Sequence, residues 1–122
     1  KSILDDIPIT YHAMLRSRKI QKKVANVGFD YSSDIEAINK IMEEVNELKN
    51  EIKNNNKKKI KEVLGDLFFA CLDIARKLNL NPEIALLKSN QKFIQRWKLV
   101  EKHALSFNKN IKDIGINLLK QL

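Results

Sequence analysis

The stretch SDIEAINKIMEEVNELKNEI, residues 33–52, decides the fold class. Its apolar residues Ile35, Ile38, Ile41, Met42, Val45, Leu48 and Ile52 recur at three- and four-residue spacing, the repeat of an amphipathic α-helix and not of a strand. Ser33 followed by Glu36 is a capping box, in which side-chain oxygens take up backbone N–H groups that the first turn leaves unpaired. The same helix carries Glu43, Glu44 and Glu47. Like charges at that spacing cost roughly a few tenths of a kcal/mol. Either these acids face open water or something positive sits among them.

Outward from this helix the pattern repeats. KNNNKKK (53–59) has no apolar residue and reads as a solvated loop between two antiparallel helices. Beyond it, Ile60, Val63, Leu64, Leu67, Phe68, Ala70, Cys71, Ile74, Ala75 and Leu78 form a wide apolar arc on a helix predicted over 60–78. A helix covered over so much of its circumference is expected to be mostly buried. Upstream, a helix over 9–26 sets Ala13, Ile20, Val24 and Val27 toward one side and stops at Gly28, after a linker-like segment at 1–8. Downstream, Asn81 is a cap with Pro82 at the first helical position, opening a helix that runs to about residue 105. In the tail, 106–122, Ile111, Ile114, Leu118 and Leu122 keep helical spacing around Gly115, and the pattern breaks off at Leu122 as a truncated tail would. Nothing alternates with period two for long. The expected fold is all-α, four to five helices in an antiparallel bundle with one domain over 9–105.

With 122 residues, 43% hydrophobic and 31% charged, the chain has the profile of a soluble globular domain. Its longest apolar run, VLGDLFFACL (63–72), is too short for a membrane span and carries an aspartate. The single Cys71 offers no disulfide, which fits a reducing, cytoplasmic compartment. A net charge of +8 suggests a polyanion partner. With 19 Lys against four Arg, an A/T-rich coding sequence accounts for the excess more simply, so nucleic acid is not the expected partner.

The acids sharpen the picture. On the helix of 60–78, Glu62, Asp66 and Asp73 form a narrow acidic stripe on an otherwise apolar surface, and buried carboxylates need cations. Mg²⁺ is held by one or two carboxylates together with water and phosphate oxygens, and two antiparallel helices each offering acids a turn apart make such a site. A di-iron bundle would use Glu-x-x-His. Neither His12 nor His103 stands three residues after a Glu, and both read as surface residues. Lys88, Lys92 and Arg96 run at four-residue spacing along the fourth helix. Asn90 projects among Leu86, Phe93 and Trp97, where an amide needs hydrogen-bond partners. Carboxylates for a metal plus a basic row is the equipment of triphosphate chemistry.

The ordered set EEVNE (43–47), LGDLFFA (64–70) and NQKFIQRW (90–97), with KIQKKVANVGFD (19–30) and PEIALLKSNQKF (82–93), resembles the MazG nucleoside triphosphate pyrophosphohydrolases of the all-α NTP pyrophosphatase superfamily. The similarity runs from about residue 3 to 105. It implies Mg²⁺-dependent hydrolysis of NTP to NMP and pyrophosphate, with Mn²⁺ as the alternative ion, in a homodimer. It also implies that the chain matches the second copy of a domain many members carry in tandem. By this resemblance Glu44 and Glu47 match metal-binding acids of an EExxE motif that Glu43 opens, and Asp66 matches the aspartate of a later ExxD motif. Lys92 and Arg96 match phosphate-contacting residues, with Lys88 and Asn90 beside them. Glu43 or Glu47 is the expected base.

One position departs from the motif. ExxD calls for a glutamate three residues before Asp66, and Val63 stands there; Glu62 is one place early, about 100° round the helix. Asp73 adds an acid where relatives carry Asn. The expected metal set is therefore Glu44, Glu47, Glu62, Asp66 and Asp73. Two rival readings remain: a basic helical nucleic-acid-binding or interaction module that has lost catalysis, and a structural dimerisation domain pairing through Leu67, Phe68 and Leu72.

Overall fold

A computed structural model describes residues 1–106 together with Asn110 and Lys112. Four helices follow in order: α1 (Ala13–Asn26), α2 (Asp34–Lys53), α3 (Lys57–Lys77) and α4 (Pro82–Ser106). Among the described residues there is no strand, so the all-α expectation holds. The apolar tail positions Ile111, Ile114, Leu118 and Leu122 lie outside the described residues. The chain divides into two compact units, Lys1–Asn81 and Pro82–Leu122.

In the first unit the chain enters through consecutive turns. Leu4 and Asp5 are held by Ser2, and Ile7 is buried, with Asp6 paired to Lys23 of α1. Helices α1, α2 and α3 then end in the same way. Gly28, Asn55 and Asn79 adopt positive φ (96°, 54° and 57°). At each end the next two N–H groups turn back onto the last turn: Gly28 to Ala25 and Phe29 to Val24, Asn55 to Ile52 and Asn56 to Glu51, Asn79 to Arg76 and Leu80 to Ala75. This is the Schellman arrangement, which pairs carbonyls the helix end would otherwise leave open. Gly28 was legible as a stop. The asparagines were not, because Asn tolerates the left-handed region through its short polar side chain and carries no fixed breaker signal.

That chemistry corrects the loop. Of KNNNKKK only Asn54–Asn56 connects the helices, and Lys57–Lys59 already belong to α3. Asn54 closes α2, Asn55 turns left-handed, and the Asn56 side chain accepts from the Lys59 N–H at 3.2 Å, capping α3. At the other end of α2 the predicted box is present. Ser33 accepts from Glu36 N–H at 3.3 Å, while the Glu36 carboxylate reaches Ser32 N–H, one residue further back, at 3.1 Å.

A three-residue connection makes α2 and α3 an antiparallel hairpin, and α1 packs on α3. The seam of α2 follows Ala37, Ile41, Glu44 and Leu48, not the line between Ile38 and Val45 that hydrophobicity alone suggests; its two buried residues are Ala37 and Glu44. On α3 the buried residues are Val63, Ala70 and Leu72. The expectation that α3 is mostly covered is not met: Leu64, Phe68 and Phe69 are exposed. Two neighbours, α2 and α1, cover two lines along a helix and leave the rest. Helical counting then gives the hairpin two unlike sides, because on antiparallel right-handed helices equivalent flanks fall together. Ile35, Ile38 and Met42 of α2 and Leu64 and Phe68 of α3 lie on one side; Glu43, Glu47, Glu62 and Asp66 lie on the other.

In the second unit α4 buries Val100 and Ala104. Asn90 is exposed, as are Leu86 and Phe93, so it is not the enclosed amide its projected angle implied.

Replacing Asn55 by Gly should leave the turn intact and raise stability by roughly 0.5 kcal/mol, whereas Asn55→Val should cost about 1–2 kcal/mol through left-handed strain. Thermal denaturation of the pair checks this. Equal midpoints would show that the α2–α3 connection is not held in the left-handed form.

Candidate functional site

The acids predicted for the site fall into three environments. Glu44 is buried in the α2–α3 seam, 5% exposed. Lys40, four residues earlier on α2, places its ammonium 3.3 Å from Glu44 Oε1 and 3.8 Å from Glu43 Oε1. Oε2 of Glu44 is buried without a hydrogen-bond partner. The Glu44 hydrogen bond holds the Lys40 ammonium above its ordinary pKa, so Lys40 stays charged beside it.

The hairpin sets the register. Glu44 lies ten residues before Asn54 and Asp66 ten residues after Asn56, so the two stand level; Glu47 and Val63, seven residues on either side, stand level one turn nearer the loop. Glu47 and Asp66 are exposed. Val63 is 2% exposed, deeper than a border position, because its side chain closes the seam. A glutamate there would point inward.

The remaining two acids are elsewhere. Glu62 is exposed, with Lys59 at 3.7 Å. Asp73 accepts from Arg76 Nε at 2.7 Å and stands seven residues, about 10 Å of helix, beyond Asp66. One cluster of five acids is therefore not formed: no three His, Cys, Asp or Glu side chains among the described residues come together as a metal-holding group. What the hairpin does set level is Glu44 with Asp66, and Glu47 a turn away.

Three participants had escaped the sequence reading. Lys40 was legible at three and four residues before Glu43 and Glu44. Asp30, just past α1, takes two hydrogen bonds from the Arg76 guanidinium (2.6 and 3.4 Å) and one from Lys77 (3.3 Å); Lys77 also bonds the Tyr31 carbonyl. This ties the loop after α1 to the end of α3. Gln21, 2% exposed, gives its amide N–H to the Phe69 carbonyl at 2.8 Å. It is the buried residue of α1, where the apolar pattern had pointed to Val24 and Val27. No periodicity marks a buried amide.

The basic row lies on α4. Lys88, Lys92 and Arg96 are all exposed there, on one flank by spacing.

A family model, the MazG nucleotide pyrophosphohydrolase domain, matches residues 33–101, from the α2 cap to the last turns of α4. The chain belongs to the MazG family. A nucleoside triphosphate pyrophosphohydrolase of Escherichia coli is 43% identical over 103 residues, covering 83% of this chain and 39% of that protein. The nucleoside triphosphate pyrophosphohydrolase/pyrophosphatase MazG of Thermotoga maritima is 37% identical over 89 residues, 73% of this chain and 34% of its own length. The chain thus spans between a third and two-fifths of the curated relatives it matches. The match places the acidic side of the MazG hairpin and the α4 row within one family domain. Among the described residues no helix is long and apolar enough to cross a membrane.

The Asp30 carboxyl is held below its ordinary pKa, first by the Arg76 hydrogen bond and then by Lys77. A depressed carboxylate stabilises the fold above its unfolded pKa and loses that contribution as pH falls through the folded value. Asp30→Asn should therefore cost about 1 kcal/mol near neutrality, and the gap should close below roughly pH 4. Denaturant melts across pH measure it. A gap that persists unchanged in acid would assign the loss to packing and not to charge.

Proposed function

We propose that this chain is a hydrolase domain that cleaves nucleoside triphosphates to nucleoside monophosphate and pyrophosphate, with Mg²⁺, or Mn²⁺ in its place, held by Glu44 and Asp66, and with Glu47 one turn nearer the loop. The observation that carries this reading is the buried Glu44 carboxylate, with Oε2 unpartnered and Asp66 level with it across the hairpin. An open carboxylate oxygen is the donor a hard cation takes, and Mg²⁺ needs only one or two of them beside water and phosphate. When bound, the ion would draw charge from the phosphate oxygens and lower the pKa of the attacking water. Glu47 then serves as the base in preference to Glu43, whose carboxylate lies 3.8 Å from Lys40. Lys92 and Arg96 offset charge on the phosphate chain, with Lys88 and Asn90 as lesser contacts. Glu62 and Asp73 drop to secondary candidates for the metal, each already beside a cation.

A homodimer belongs to the same proposal. Ile35, Ile38, Met42, Leu64 and Phe68 expose one contiguous apolar side of the hairpin, and a patch of that kind marks an interaction surface. A second copy is the partner that offers a matching apolar face. The cytoplasmic location rests on the lone cysteine and is proposed on that ground.

Pyrophosphate and monophosphate should appear in equal amounts with Mg²⁺ and stop in chelator. Asp66→Asn should lower Mg²⁺ affinity at least tenfold, while Val63→Glu should raise it several-fold and lower the thermal midpoint, since a carboxylate would replace a fully buried valine. Release of orthophosphate, or turnover indifferent to chelator, would sink the proposal. Sedimentation at tens of micromolar should give twice the single-chain mass, and a monomer there would remove the pairing.

A further inference from the structure

Along α1, between it and the end of α3, lies a cleft of about 520 Å³, bordered by Arg18, Lys19 and Lys22 on one side and by Arg76 and Asn79 on the other. Its size is that of a small-molecule site. Its charge is one-sided. Among the described residues no aspartate or glutamate borders it. Arg18, Lys19 and Lys22 form no ion pair among the described residues, whereas Lys23, outside the lining, is answered by Asp6. Spacing of three and four residues sets Arg18 and Lys19 one turn from Lys22, so the three repel. An A/T-rich coding sequence accounts for lysine and not for arginine. Two of the four arginines in the chain, Arg18 and Arg76, border this cleft.

Arg76 plays a different part from the other three. Asp30 and Asp73 answer its charge and engage three of its five N–H groups, which brings a held guanidinium to the cleft wall. The C-terminal ends of α1 and α3 lie here too, and each carries about half a negative charge. Their last carbonyls are already taken by the N–H groups of Gly28 and Phe29 and of Asn79 and Leu80. Three unanswered cations outweigh two half charges, and a concave wall of one sign concentrates its field. A lone phosphate group carries about −1.5 to −2 near neutrality, which falls short of three cations. Two linked phosphates match them. We propose that this cleft binds a small polyphosphate anion, at a site distinct from Glu44 and Asp66. Arg18, Lys19 and Lys22 take the phosphate oxygens from α1, and Arg76 and the Asn79 amide add donors from the other wall. Arg76 stands ten residues beyond Asp66 on α3, about 15 Å along the helix, so the site does not depend on the proposed hydrolysis.

Calorimetric titration of the full chain with inorganic pyrophosphate in metal-free buffer tests this. Pyrophosphate should bind at least about tenfold tighter than inorganic phosphate, and Arg18→Gln/Lys22→Gln should weaken it at least about tenfold through lost charge-assisted hydrogen bonds. Lys88→Gln/Lys92→Gln, on α4, should change the affinity less than about twofold, as a remote pair does. Amide NMR shifts need no variant: pyrophosphate should move those of Arg18, Lys19, Lys22 and Asn79. Shifts confined to α4, or an affinity that the α1 pair leaves unchanged, overturns the site. Tight binding of an oligothymidylate without binding of pyrophosphate also overturns it, and makes the α1 stripe a nucleic-acid contact.

Discussion

Burying Glu44 between α2 and α3 sets the terms for the rest of the structure. One carboxylate oxygen is answered by Lys40 and the other by nothing among the described residues. An unsatisfied buried acceptor costs on the order of 1–3 kcal/mol, and more when charged. A seam made for stability alone would place leucine there, since Ile41 and Leu48 flank it on the same line. The hairpin can carry the cost because its other seam positions, Ala37, Val63 and Ala70, are small and close the helices tightly. The exposed acids Glu47 and Asp66 add repulsion on the same side. Strain of this kind is retained where it serves binding, and in the proposed reaction a cation at Oε2 would relieve it.

The physical reason α2 and α3 expose an apolar side follows from the same seam. These helices expose hydrophobic residues on one side and acids on the other, because the seam runs between the two. Hydrophobicity alone centres the α2 stripe between Ile38 and Val45. The contact with α3 centres it at Glu44, which moves Ile35, Ile38 and Met42 to the surface. Their exposure is the consequence of placing an acid at the centre.

What the sequence made legible was whatever repeats or punctuates. The helices, the Ser33 cap, the Gly28 stop and the pairing of EEVNE with LGD across a hairpin were all readable, because periodicity and breaker residues report local backbone preference. The length of the loop was not, because Asn54, Asn55 and Asn56 each carry a different backbone role behind one polar letter. Nor was the splitting of the acidic stripe. Glu62, Asp66 and Asp73 share a face by counting, yet Asp73 is turned to account by Arg76, and Arg76 is fixed by Asp30, 46 residues away. Long-range ion pairs leave no trace in spacing. Gln21 is the extreme case, a polar residue buried beside the apolar line that Ile20 and Val24 mark on α1.

Val63 is best understood through Glu44. The ExxD pattern that the sequence resembles would set a glutamate at this level of the hairpin, opposite Glu47 and one turn from Glu44 and Asp66. Four carboxylates around a seam that already leaves one oxygen unpartnered would repel strongly in the metal-free chain, and the inward position of Val63 would bury the fourth. Valine removes that charge and fills the space with apolar volume; in the proposed metal site it would also weaken the hold on a cation. Packing gains at this position, while Lys40 supplies the counter-charge that Glu44 needs. Glu62 sits on the exposed flank beside Lys59 and not in the seam.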